Sequence, residues 1–441
     1  MAWWHQFFSH PKTHLHHNFG RGINAQVNPD ERSLFDQSVS YFEQNRFILA
    51  YEAFLQSLIN FKDDKSEENL IIQKSASQLH FTLYQGLAIV KGSVSEKSLD
   101  ANVKIVYSNN FPVALKRDVL EKNYQLTYSR FFIKENTISF KLHIDNTTMT
   151  PQKVFYPLRE LALNAEYEKE YISSEFSDEK LLEIEHIHYL PKEELETKYR
   201  FLQNWIQTTQ EHITHLPSNE NSGMIAFSYL NLLFKIDYLI VPRAHLGQEL
   251  IKKITEYFAD NEKLVERRNQ ELNLYIQSLQ ELPIETFSKQ LYNTKNTFSP
   301  MERTNHEDIA QFIEDSLVKL RWYRSNRYTQ VIPTIYEYIA VYILYNYGVH
   351  PSLQSLVHLI VEIQHGDFFE ALGYEKLYDS KEKEFNKKMI SKRIKESIEP
   401  YQNIHPQLEP FGDLLDYSSL EEFSHSYYLQ LKHLDYTEIS S

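Results

Sequence analysis

The chain of 441 residues contains no cysteine, which excludes disulfides, thiol catalysis and cysteine-based zinc sites. A reducing compartment is compatible with that absence. Glycine is scarce, at 10 residues, and phosphate-cradling loops and tight βα crossovers depend on it. Nucleotide-binding folds are therefore disfavoured. No Walker-type loop, dinucleotide fingerprint, G-x-S-x-G or HExxH is present. The longest apolar stretch, "GMIAFSYLNLLFKIDYLIVP", carries Lys235 and Asp237 near its middle, so it reads as a buried helix and no transmembrane segment is expected. The opening "MAWWHQFFSHPKTHLHHNFG" lacks the basic start and continuous apolar core of a secretory signal, and a cytoplasmic location is expected.

Apolar residues make up 42% of the chain and charged residues 24%, as in a globular protein, and the length argues for more than one core. The expected division is an aromatic and histidine-rich segment at 1–28, an α+β domain at 29–190 and an all-α helical domain at 191–441. The net charge of −14 is uneven. Residues 1–175 hold 19 Lys plus Arg against 20 Asp plus Glu, and the remainder carries −13. Acidic surfaces repel a phosphate backbone, so nucleic-acid binding is disfavoured and a protein or peptide partner is expected.

Residues 29–62 show helical spacing at Tyr41, Phe42, Ala50, Phe54 and Leu58. The stretch has some flavour of a tetratricopeptide pair, but no second copy follows near a 34-residue period, so a covering helix pair is the preferred reading. From about 69 to 107 the period changes to two. "QLHFTLYQ", "LAIVKGSV" and "LDANVKIVY" predict three or four antiparallel strands. "NFPVALKRDVLEKNY" predicts a helix opened by Pro112, with Leu115, Val119 and Leu120 inward.

"SRFFIKENTISFKLHID" then reads as a β-hairpin turning at Glu135-Asn136. Phe131 faces Phe140 and Ile133 faces Ile138, with Leu142 and Ile144 extending the apolar face. Tyr128, Arg130, Phe132, Lys141 and His143 fall on the other face. "PQKVFYPLRELALNAEYEKEYI" follows as a helix buried through Val154, Leu158, Leu161, Ala162 and Ala165, with Pro157 kinking it or delaying its start. Helix, strands, helix, hairpin, helix makes an α+β sandwich.

That order, and above all "FPVALKRDVLEKNYQLTYSRFFIKENTISFKLHI" followed by a terminal helix, resembles the YbjN and class I type III secretion chaperone group of bacterial domains. The resemblance covers roughly residues 30–175 and rests on element order and hydrophobic pattern. It implies a non-enzymatic domain that binds extended segments of partner proteins and can form a homodimer, and it brings no catalytic residues with it. The large C-terminal extension goes beyond the compact members of the group.

Beyond about 190 no strand pattern is evident, and nine or ten helices are expected. Thr304 to Glu307 reads as a capping box opening "TNHEDIAQFIEDSLVKLRWYR". "PTIYEYIAVYILYNYG" should run from Pro333 to a stop at Gly348.

Candidate sites are few. Glu362/His365 and Glu422/His425 are Glu-x-x-His motifs of the kind that hold di-iron in bundles, the basis of an alternative reading as a metal-dependent enzyme. With 60 acidic residues and 19 histidines, about two or three such pairs arise by chance, and Gly366 suggests a helix end that turns His365 outwards. No cofactor is expected. His5, His10, His14, His16 and His17 lack regular spacing and read as a surface cluster. Trp3, Trp4, Phe7 and Phe8 would share one helix face, which could dock a partner or anchor at a membrane interface, and packing against their own domain is the preferred reading. "LRWYRSNRY" places Arg321, Arg324 and Arg327 among Trp322, Tyr323 and Tyr328, the arginines sharing one helical side, where pairing with nearby acids is the preferred reading over a partner or a nucleic acid. "EIEHIHYL" supplies Glu183, Glu185, His186 and His188 and reads as a solvated segment. The function expected is a non-catalytic protein-binding module, with Tyr128, Arg130, Phe132 and Lys141 as its first contact residues.

Overall fold

A computed structural model describes residues 17–20, 29–59, 68–75, 77–176, 178–216, 222–259 and 262–438. Trp3, Trp4, Phe7, Phe8 and the histidines from His5 to His16 lie outside the described residues. The fold is α+β: an antiparallel sheet with covering helices, followed by a helical region.

The first helices are α1 (Pro29–Glu43) and α2 (Phe47–Gln56), separated by a turn in which Asn45 takes a left-handed φ of 55°. Strands β1 (Leu70–Lys74), β2 (Leu79–Gln85), β3 (Ala88–Val94) and β4 (Ser98–Tyr107) form where the sequence alternates. Then come α3 (Val113–Gln125), β5 (Arg130–Lys134), β6 (Thr137–Asp145), α4 (Pro151–Glu175) and the short β7 (Lys180–Leu181). The sheet order is β1-β2-β3-β4-β6-β5, with β7 beside the far end of β4.

One face of the sheet is apolar and packed under α4, which touches β2, β3, β4 and β6. Cross-strand partners are matched in size. Phe81 pairs with Gly92, and its ring occupies the space that a side chain on Gly92 would fill. The hairpin register is the expected one: Phe131 opposes Phe140, their rings stacked at 4.0 Å, and Ile133 opposes Ile138. Both turn residues adopt positive φ, 48° at Glu135 and 60° at Asn136, so the turn twist matches that of the strands. Ile133 departs from expectation, half exposed because β5 is an edge strand that the covering helices do not reach.

Helix α4 starts at Pro151, carries Pro157 within its span, and buries all five expected residues. On α3, Leu115 and Val119 are buried as expected but Leu120 is not. A one-residue step rotates a helical side chain by about 100°, which carries Leu120 past the edge of the buried stripe.

The helical region contains α5 (Lys192–Thr214), α6 (Ser222–Lys235), α7 (Ala244–Ala259), α8 (Val265–Gln280), α9 (Ile284–Ser288), α10 (His306–Ser325), α11 (Ile332–Asn346), α12 (Pro351–Gln364), α13 (Gly366–Ala371), α14 (Lys387–Ile398) and α15 (Leu420–Lys432). It is not free of strands. β8 (His188–Tyr189) pairs with β9 (Tyr292–Asn293), and β10 (Tyr378–Asp379) pairs with β11 (Glu384–Phe385). Two-residue ladders are too short to imprint an alternating pattern on the sequence.

Two helix boundaries also differ from the expected ones. The α10 N-cap is Asn305, and Thr304 instead bonds through its N–H to the Gly348 carbonyl, so the Thr304–Glu307 box does not form. Helix α11 ends at Asn346, with Tyr347 extended and Gly348 bridged in parallel to Arg303. Long-range backbone pairing decides both ends. The apolar stretch Ser222–Ile240 is largely buried inside the protein, where Lys235 pairs with Glu337 at 3.3 Å.

The two regions have separate cores that meet along α4 and α7 and at a strap, residues 292–302. Phe298 from the strap belongs to the core of the sheet region. Buried Gln85 at the end of β2 clamps it: its Oε1 accepts from the N–H groups of Thr297 (3.0 Å) and Phe298 (2.8 Å). Its Nε2 donates to Glu166 at 2.8 Å and to the Phe298 carbonyl at 3.2 Å. Arg159 grips the other end through the carbonyls of Ser299, Pro300 and Met301 and the Glu302 carboxylate.

Candidate functional site

The sheet face away from α4 is open over most of its width. His80, Lys91, Asn102, Lys104, Arg130, Lys141 and His143 are exposed on it. The register aligns Lys91, Asn102, Lys141 and Arg130 across four strands. Glu183 meets Lys91 at 2.8 Å and Lys104 at 3.5 Å, and His143 meets Asp100 at 2.6 Å. Lys141 lies over the Phe132 ring at 5.4 Å. Arg130, whose guanidinium donates to the Leu126 and Ser129 carbonyls, and Lys141 form no ion pair among the described residues, so this face is locally cationic in a chain of net charge −14.

Tyr128 precedes β5 and lies in the turn that leads into it. The turn is fixed by Glu160 on α4, whose carboxylate accepts from the N–H groups of Thr127, Tyr128 and Ser129 and from the Ser129 hydroxyl. Burial works to raise the Glu160 carboxyl, but these donors outweigh it and hold it below its ordinary value. With its backbone so held, the Tyr128 ring projects outwards, half exposed.

Asn123 closes the free edge of β5 at its start. Its Nδ2 donates to the Phe131 carbonyl at 2.9 Å and its Oδ1 accepts from the Phe131 N–H at 2.7 Å. A side-chain amide thus stands where another strand would pair, which protects the edge and disfavours strand addition there.

The residues that sequence reasoning missed lie next to this edge. Val113, Leu120 and Tyr124 are 64%, 69% and 94% exposed, and they follow one another along the outer stripe of α3 at helical spacing. Tyr128, 51% exposed, lies beyond the helix end in the turn that leads to the sheet. The available signal was the spacing 113, 120, 124: a second apolar stripe on a helix whose first stripe is already buried.

The remaining candidates are occupied within the chain. Arg321 pairs with Glu314 at 3.0 Å and Arg324 with Glu421, while exposed Trp322 stacks near Tyr328 at 6.0 Å. Arg327 does not share their helical side. Helix α10 ends at Ser325, and Arg327 takes a left-handed φ of 64° in the turn beyond.

The two Glu-x-x-His motifs do not form a common centre. Glu362 is buried against Arg393 at 2.7 Å, and His425 contacts the Tyr336 hydroxyl at 3.1 Å. His365 follows the end of α12 as expected but points inwards, 3.8 Å from Glu337. Its ring fills the space beside Trp205, and burial lowers its pKa to about 4. Burial works to raise Glu337, but Lys235, His365 and Asn231 outweigh it and hold it at about 2. Among the described residues no group of three or more His, Asp and Glu is placed to hold a metal ion.

In "EIEHIHYL", Glu183 neutralises sheet lysines and His186 contacts the Gly86 carbonyl at 2.8 Å, so the segment is part of the junction between the regions. His17 contacts Tyr374 at 3.2 Å, and Phe19 packs among Tyr238, His358 and Phe369, so residues 17–20 dock on the helical region. No family model matches the chain, and no curated protein matches it.

Proposed function

We propose that this protein is a non-catalytic protein-binding module, a chaperone-like or adaptor protein. It holds an amphipathic segment of a polypeptide partner on the outer stripe of α3 and the adjoining open sheet face. The observation that carries the reading is the exposed run Val113, Leu120 and Tyr124 on α3, with exposed Tyr128 in the turn beyond it. Burying each such side chain contributes about 1.5–3 kcal/mol, and contiguous exposed apolar surface marks interaction sites. Arg117 on the same helix, with Arg130 and Lys141 beside it, favours a partner whose apolar residues are flanked by acidic ones. The resemblance of residues 30–175 to secretion chaperones, which hold polypeptide segments without chemistry, supports the same reading. Asn123 at the β5 edge favours side-chain docking over an added strand.

The test is site-specific photo-crosslinking in the native host. Benzoylphenylalanine replaces Tyr124, and exposed Leu264 of the helical region serves as the control position. The expected result is one defined adduct at 124, absent at 264 and lost when Leu120→Asp is added. An adduct with a second copy of the chain would make the stripe a dimer interface. No adduct at 124, or the same adducts at both positions, would overturn the proposal.

A further inference from the structure

Residues 17–20, His-Asn-Phe-Gly, lie against the helical region, whereas α1, which begins at Pro29, packs on α2 and α4 of the sheet region. The tetrapeptide is therefore held by its own contacts, in the manner of a short linear segment bound to a reader domain. None of the residues it touches belongs to the α3 stripe or the open sheet face.

The backbone of the segment satisfies a carbonyl that the helical region does not satisfy by itself. Helix α6 closes in a π-helical turn, Ile236–Ile240, which ends at Val241 with a left-handed φ of 59°. The Val241 N–H goes back to the Ile236 carbonyl at 3.3 Å. Next comes Pro242, which has no N–H, and the Arg243 N–H is taken by the Gln290 carbonyl at 2.8 Å. The Tyr238 carbonyl is thus left without a helical donor, and the Gly20 N–H supplies one at 2.7 Å. Gly20 takes a left-handed φ of 68°, and a Cβ there would stand 2.8 Å from the Tyr238 ring, so the position requires glycine.

The side chains are met just as specifically. The Phe19 ring sits among five others, with Phe369 at 5.1 Å, His358 at 5.4 Å, Tyr374 at 6.2 Å, and Tyr238 and Phe368 at 6.5 Å each between ring centres. The Tyr238 hydroxyl and His358 Nδ1 lie 2.8 Å apart, a contact within the helical region that fixes two of these walls. His17 Nδ1 meets the Tyr374 hydroxyl at 3.2 Å, and its Nε2 lies 3.9 Å from the Glu194 carboxylate. Asn18 is exposed, its amide resting on that of Asn293 at 3.1 Å, so the second position is the least specified.

We propose that this groove reads polypeptide segments of the pattern His-x-Phe-Gly, and that residues 17–20 occupy it as an autoinhibitory plug. The partner is a protein chain that presents Phe followed by Gly, the glycine in the left-handed conformation, with a hydrogen-bonding side chain two residues before the Phe. A segment tethered by a short linker acts at an effective concentration on the order of millimolar, so a partner displaces it by binding more tightly or by being locally concentrated. Capture of the partner and release of the chain's own first residues are then one event.

Fluorescence anisotropy of the labelled peptide HNFGRG, residues 17–22, titrated with the full chain tests the site, and the ring 13C resonance of His358 reports where the peptide sits. Phe19→Ala in the full chain weakens the plug and leaves the groove intact. That variant is expected to bind the peptide saturably and about tenfold more tightly than the unaltered chain does. Bound peptide should also return the His358 resonance to its position in the unaltered chain. Gly20→Val in the full chain removes the plug by a second route and should give the same gain. Peptides carrying Phe19→Ala or Gly20→Val should bind about tenfold more weakly or not at all. Tyr374→Phe, added to the Phe19→Ala chain, removes the phenol beside His17 and should weaken binding about threefold. No saturable binding to either plug variant, equal affinity with and without the plug, or equal affinity for the Phe and Ala peptides would overturn the proposal.

Discussion

Glu170 shows how one side chain can set a pH dependence. It lies one turn after Glu166 on α4, at the junction with the helical region. Burial and the Glu166 charge push its pKa up from the ordinary 4.5 to about 8. A carboxyl that binds its proton more tightly in the folded state contributes stability below its unfolded value, and that contribution is lost as the pH rises through the folded value. The window is therefore about pH 4.5 to 8. Burial pushes Glu168 the same way, to about 7, with Lys122 only partly offsetting it. The urea midpoint should accordingly fall between pH 5 and pH 8.5. Glu170→Gln keeps the shape without the ionisation and should recover about 2 kcal/mol at the upper end. An equal fall in the variant would contradict the assignment. The same scale explains why several candidate residues proved structural. The Glu-x-x-His spacing is satisfied by an Arg393 partner for Glu362 and a core position for His365, and spacing alone carries no information about either.

At the scale of elements, the register of the hairpin was legible, though not the exposure of Ile133 at its edge. Two-residue alternation fixes which side chains share a face, and a two-residue turn fixes which of them oppose each other, so Phe131–Phe140 could be paired from the sequence. The turn also carries a correctable strain, because Glu135 holds a positive φ that asparagine adopts more readily. Glu135→Asn should stabilise the protein by about 0.5–1 kcal/mol, read as an upward shift of the urea midpoint at constant slope. A lower midpoint would mean that the turn is not of the assigned type. Helix α3 was legible only in part: its buried stripe was found, while Leu120 was assigned to the wrong side. On a single helix of 13 residues, two apolar stripes are not separable by period, and only the packing partner shows which one is inward.

At the scale of the molecule, the regions meet along α4 and α7, and a strap carries Phe298 from the helical region into the core of the sheet region. Gln85 fixes the strap with three hydrogen bonds and ties it to Glu166 of α4 with a fourth, and a side chain on Gly86 would collide with Glu166 at 1.9 Å, so the β2–β3 turn fits against α4 without slack. The two cores should therefore unfold as one unit. Phe298→Ala is expected to cost about 3–5 kcal/mol and to split a single calorimetric transition into two. A single transition at an unchanged midpoint would show that the regions are coupled elsewhere. The strap was invisible in the sequence, where "NTKNTFSP" has neither helical nor strand period and reads as a loop.

The amino-acid order by itself determined the α+β class, the succession of elements through residue 175 and the hairpin register, because these follow from local periodicity and turn chemistry. Tertiary structure decided what periodicity does not encode: the exposure of Leu120 and Tyr124, the burial of His365, the strap through Phe298, and the seating of Phe19 among Tyr238, His358 and Phe369. Each of these depends on which distant segment packs against a residue, and neither a side chain's partners nor its exposure can be read from its immediate neighbours along the chain.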